Sequence, residues 1–144
     1  MKDWIIKVRN DVPDAPVLVT AGGLLHYFEE NKVISLLRMI GQSGNMEVVF
    51  DTVNKRGMTM MKKKYMKQVG HADAQMFFYV DSAEELAAKI GGNVKVIAEE
   101  PYYRYIPKNG LKLSTKVSMT VSDQFKMVKM IPVSYTHLTL PTKL

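Results

Sequence analysis

Two short apolar runs separated by an amphipathic stretch place the strongest limit on how this chain can fold. Val17-Leu18-Val19-Thr20 is bounded by Pro16 on one side and by Gly22-Gly23 on the other, the pattern of a strand buried on both faces of a parallel sheet. Met46-Glu47-Val48-Val49-Phe50 is a second strand, following the turn cluster Gly41-Gln42-Ser43-Gly44-Asn45 and ending on Asp51. Between them Val33, Leu36, Leu37 and Ile40 recur at the spacing of one helix face, with Asn31 placed to cap the helix and Gly41 to stop it. Strand, helix and strand in this order form a βαβ unit with a right-handed crossover. The expected class is therefore α/β.

The flanking segments add elements around that unit. Trp4, Ile5 and Val8 predict a short helix that ends at Val12-Pro13-Asp14-Ala15-Pro16. The segment from Lys55 to Val69 is basic, methionine-rich and helix-permissive, and is expected to lie outside the sheet layer. Ser82 and Glu85 form the S-x-x-E pattern in which each side chain caps the other's backbone N–H, ahead of Leu86, Ala87 and Ile90 and a stop at Gly91-Gly92. Val94 to Ala98 predicts a strand that leads through Glu99-Glu100-Pro101 into the aromatic loop Tyr102-Tyr103-Arg104-Tyr105. Asn109-Gly110 marks a turn, Leu111 to Ser122 gives no clear pattern, and a final strand is expected from Phe125 to Ile131.

Composition narrows the function classes. At 144 residues and 47% hydrophobic the chain holds one core, so one domain or part of one is expected. No apolar run of about 18 residues is present, and the start Met1-Lys2-Asp3-Trp4 lacks a signal-peptide core. A soluble, cytoplasmic protein without a membrane partner is the expectation. With no cysteine and with His26, His71 and His137 scattered, there is no metal-ligand spacing. The net charge of +6 could suit a nucleic-acid partner. Its excess, however, sits in Lys55-Arg56, Lys62-Lys63-Lys64 and Lys67 without interleaved aromatic residues, which reads as a solvated helix face.

The tail carries a different signature. Val133-Ser134-Tyr135-Thr136-His137-Leu138-Thr139-Leu140-Pro141-Thr142 resembles a translated sequencing-library adapter. The reading therefore assigns residues 1–132 to a partial domain and 133–144 to an adapter-derived tail, and gives His137 no role.

Ligands of open α/β sheets bind beyond the carboxyl ends of the strands. The first strand is followed there by Ala21-Gly22-Gly23-Leu24-Leu25-His26-Tyr27-Phe28, the second by Asp51-Thr52. Two glycines let a backbone approach a ligand, and they equally suit a plain strand-to-helix turn. Asp51 reads first as a turn-starting aspartate, and also as a residue of a pocket rim.

Trp4, the run from Pro16 to Phe28, and Val48-Val49-Phe50-Asp51-Thr52, taken in order, resemble the second half of the leucine carboxyl methyltransferase and tetracenomycin-type O-methyltransferase family. Gly70-His71-Ala72-Asp73, the helix from Ser82, and Glu99-Glu100-Pro101-Tyr102-Tyr103 extend the likeness over residues 1–132. The resemblance implies the carboxyl-terminal half of a doubly wound, Rossmann-like domain, with a mixed sheet whose last strand is antiparallel. It also implies transfer of a methyl group from S-adenosylmethionine to a small carboxylate or hydroxyl acceptor.

In that family the turn after the fourth strand usually reads Ala-Glu-Gly; here it is Ala21-Gly22-Gly23, so the carboxylate is missing at Gly22. Ala21, Gly22 and Gly23 are then the expected cofactor-facing residues and Tyr27 the expected pocket-lining one. Met60 and Met61 are expected in a cap over the acceptor. No catalytic base stands out. The family's glycine-rich turn and ribose-binding acid do not occur upstream of Trp4, so the chain is expected to start in mid-domain and to be inactive alone. A rival reading is a small basic interaction module that binds a partner or nucleic acid through the Met/Lys-rich helix.

Overall fold

The computed structural model describes residues 2–68, 75–92 and 94–135, the side chains at 65, 66 and 68 excepted. Gly70-His71-Ala72-Asp73, Val69 and His137 lie outside the described residues. Helix α1 (Asp3–Asp11) leads into strand β1 (Val17–Ala21), a single turn over Leu25–Tyr27, helix α2 (Glu30–Gln42) and strand β2 (Met46–Val53). β1 and β2 pair in parallel, Val17 opposite Met46 through Ala21 opposite Phe50, as a βαβ unit requires. Helices α3 (Lys55–Gln68) and α4 (Ala83–Ile90) come next, followed by the short strands β3 (Val94–Val96) and β4 (Glu100–Pro101). Helix α5 (Leu113–Gln124) and strand β5 (Val128–Tyr135) complete the described chain.

The protein is α/β with a mixed five-stranded sheet in the order β1-β2-β5-β3, and β4 pairs with β5. β5 lies antiparallel to β2, β3 and β4, so the last strand is inserted against the direction of its neighbours. The main core sits on one sheet face, where Met46, Val48, Phe50, Ile131 and Val133 meet Val33, Leu37 and Ile40 of α2 and Leu86 and Ile90 of α4. Val53, Met58 and Met76 form a second, smaller cluster beside α3.

Several local expectations are corrected. β1 is not buried on both faces: Leu18 is 61% exposed, because it points away from the face that α2 covers, and among the described residues β1 pairs only with β2. Asn31 lies inside α2, whose N-cap is Glu29, and its carboxamide oxygen accepts from Lys32 instead. Gly41 does not stop α2; the helix runs on through Gln42 with Gly41 buried under Tyr135. β2 continues past Asp51 to Val53 because Asp51, Thr52 and Val53 pair with Met130, Lys129 and Val128.

At α4 the Ser82 hydroxyl accepts from the Glu85 N–H at 3.1 Å, but the Glu85 carboxylate pairs with Lys89 and does not return to the cap. Glu99 reaches in to accept from the Ala83 N–H. The stretch without a clear pattern forms α5, with Met119 its only buried residue. Phe125 ends that helix instead of starting a strand: its N–H donates to Val121, and the positive φ of 46° at Lys126 turns the chain before β5 begins.

The boundary drawn at Pro132 falls inside β5. Val133 and Tyr135 are buried, and every residue of β3 pairs with this last stretch, Val94 with Tyr135, Lys95 with Ser134 and Val96 with Val133. Whatever their coding origin, residues 133–135 have the alternating apolar pattern that a strand needs, and they complete the sheet.

Two arginines lock these elements together. Arg9 of α1 donates to the carbonyls of Ser43 at 3.1 Å and Asn45 at 2.9 Å, and to that of Gly44, holding the turn ahead of β2. Arg38 of α2 donates to Ile90 at 2.7 Å and Lys89 at 2.6 Å, the free carbonyls at the end of α4. Helix ends leave such carbonyls unpaired, and a guanidinium fork can satisfy two of them together.

Candidate functional site

The site begins at the carboxyl end of β1. Gly23 has a φ of 63°, in the left-handed region that favours glycine, and its N–H donates to Asp51 Oδ1 at 2.7 Å. The turn after β1 is thereby tied to the neighbouring strand. A Cβ built on Gly22 would meet nothing within 4 Å, so open space lies beside this backbone.

Period-two alternation carries Thr20 of β1, Val49 and Asp51 of β2, and Met130 and Pro132 of β5 to the sheet face opposite the core. The turn and this face together bound a cleft of about 580 Å³, walled on the far side by Glu100, Pro101, Tyr102, Tyr105 and Ile106. Pro101 and Tyr102 are held in place because β4 pairs with Met130 and Lys129 and the Tyr102 N–H donates to Val128. A second cavity, of about 280 Å³, opens between α1, β1 and α2 with Trp4, Leu24 and Phe28 at its mouth.

The expected site residues separate. Ala21 and Gly22 line the cleft with Asp51, and Gly23 is bonded to Asp51 at its edge. Tyr27 is not among the lining residues; its ring packs against His26 with centroids 4.3 Å apart. Met60 is 60% exposed, while Met61 packs on the cluster of Val53, Met58 and Met76; neither lines the cleft. Asp51 lies within β2 and does not begin a turn.

The walls at Tyr102, Tyr105 and Ile106 were not singled out from sequence, although the aromatic loop itself was legible. Its position over the sheet depends on β4 pairing with β5, a contact between distant segments. Beside the site, burial lowers the proton affinity of His26 below the ordinary imidazole range, with the Asp51 charge opposing that shift. The backbone carbonyl of His26 accepts from Phe77 at 2.8 Å and Phe78 at 3.3 Å, anchoring the segment that follows α3.

Among the described residues no group of His, Cys, Asp and Glu could hold a metal ion, and no helix is long and apolar enough to cross a membrane. Compared with models of known protein families and with curated proteins, the chain matches none.

Proposed function

We propose that this chain forms the acceptor side of an S-adenosylmethionine-dependent O-methyltransferase domain, with the cleft over β1, β2 and β5 receiving a small hydroxyl or carboxylate compound. The observation that carries this reading is the bond from the Gly23 N–H to Asp51. It organises a glycine turn at the carboxyl ends of two adjacent parallel strands, the place where open α/β sheets bind ligands. An antiparallel last strand between parallel ones is also the sheet that the sequence resemblance implies.

The open space at Gly22 and Gly23 fits close approach of a cofactor to the backbone. Bound there, S-adenosylmethionine would supply an activated methyl group. The chain's own part is to hold the acceptor against the apolar sheet face and shield it with Tyr102, Tyr105 and Ile106. Positioning of this kind is a large share of the acceleration in methyl transfer.

Titration calorimetry with S-adenosylmethionine tests the reading. A version extended upstream to include a glycine-rich turn is expected to bind it. Absence of binding by the extended version overturns the proposal.

One observation favours a second reading, a basic interaction module. Among the described residues no ion pair involves Lys55, Arg56, Lys62, Lys63, Lys64 or Lys67 of α3. Salt-sensitive binding of the chain to nucleic acid, lost when Lys62, Lys63 and Lys64 are replaced by alanine, would support it.

A further inference from the structure

We infer that the cleft over β1, β2 and β5 selects a small ligand whose apolar body carries a protonated amine, and that it rejects carboxylates. The inference rests on reading this cleft as the acceptor site, and it narrows the acceptor to an amine-bearing hydroxyl compound.

Its apolar part follows from the floor of Val49, Met130 and Pro132 and from the rings of Tyr102 and Tyr105 on the facing wall. Among the described residues, the only charged side chains in the lining are the carboxylates of Asp51 and Glu100. These two differ. Glu100 is paired with Arg104 at 3.4 Å. Asp51 has no cationic partner among the described residues, and its carboxylate accepts only from the Gly23 N–H. Burial lowers the proton affinity of His26, against the opposing effect of the Asp51 charge, which disfavours a compensating cation there.

A carboxylate beside an apolar floor gains from a charged donor that reaches it. An ammonium group on the ligand meets that requirement, and the face of Tyr102 attracts the same cation, whereas the Tyr105 ring already carries the Arg104 guanidinium 5.4 Å from its centre. A ligand carboxylate would instead face a like charge, with no lysine or arginine among the described lining residues and with Arg104 engaged by Glu100 and the Tyr105 ring.

Matched probes test this without any cofactor. The chain is titrated with phenethylamine and with hydrocinnamate, following the backbone amide NMR signals of Gly23, Asp51 and Tyr102. The amine is expected to shift all of these signals and to bind roughly tenfold or more tightly than the acid. Asp51→Asn keeps an oxygen for the Gly23 N–H, so the fold is retained while the preference disappears. Glu100→Gln, already neutralised by Arg104, is expected to keep most of it. Equal or tighter binding of hydrocinnamate, no binding of either probe, or an unchanged preference in Asp51→Asn overturns the inference. Should the amine preference hold while the extended chain fails to bind S-adenosylmethionine, the methyltransferase reading falls and the ligand selectivity stands.

Discussion

The phenol ring of Tyr135 occupies the space where a Cβ on Gly41 would have to stand, and its hydroxyl donates to the carbonyl of Leu37 one turn earlier in α2. The last residue of β5 is thus locked onto the helix that crosses between β1 and β2. Gly41→Ala should destabilise the fold even though alanine is the better helix former. Overpacking of about 1–3 kcal/mol exceeds a helix-propensity gain of about 1 kcal/mol. A lower urea midpoint is expected, and an unchanged one would contradict the close packing.

The same strand end makes a sharper comparison possible. Compared with a chain ended after Tyr135, one ended after Pro132 loses the described pairing partners of β3 and the buried Val133 and Tyr135. The loss should exceed about 3 kcal/mol, since burying a single large apolar side chain contributes about 1.5–3 kcal/mol. Equal denaturation curves for the two would show that residues 133–135 do not belong to the sheet.

Lys129 is 1% exposed, with Nζ 3.5 Å from Glu99 Oε2 and donating to the Asp81 carbonyl at 3.1 Å. Burial lowers its proton affinity, and Glu99 acts against that shift. Glu99→Gln leaves the buried ammonium with the Asp81 charge but without its ion-pair partner, and should destabilise by about 3 kcal/mol. Lys129→Met should be far milder, about 1 kcal/mol, because Glu99 is less buried and keeps Lys126 and the Ala83 N–H. Denaturation of both variants checks the order; the reverse order would refute this account.

His26 makes stability depend on pH. Its folded-state proton affinity lies below the ordinary value of 6.5, so between these limits the unfolded chain binds more protons than the folded one. The stabilisation is fully present above 6.5 and is lost as pH falls through the folded-state value. In urea titrations at several pH values, His26→Gln should flatten the slope just below pH 6.5. A slope unaffected by the substitution would assign it to other groups.

Met60→Ala and Met61→Ala should separate as well. Met60 is exposed and its loss should change stability by less than about 0.5 kcal/mol. Met61 packs on Val53, Met58 and Met76, and its removal should cost about 1–2 kcal/mol. Equal effects would mean that both or neither meets the small cluster.

What could be read from the sequence alone was local. The runs at Val17–Thr20 and Met46–Phe50, the helix face of Val33, Leu37 and Ile40, and the Ser82 cap each follow from spacing or from a hydrogen bond within one turn. The glycine turn after β1 and Asp51 were also legible as places where a ligand could sit. Contacts between distant segments decided the rest. Only the pairing of β5 with β2 and β4 brings Met130, Pro132 and Tyr102 to the same cleft, and only the assembled sheet shows that one side of Leu18 stays open.

Gly41 reads locally as a stop, yet it is needed because an aromatic ring 94 positions away lies against it. Arg9 and Arg38 look like ordinary surface charges, yet they satisfy carbonyls 34 to 36 and 51 to 52 residues distant. Periodicity records which face of an element is apolar. It carries no information about which element will meet that face, because that choice is made by packing across the whole chain.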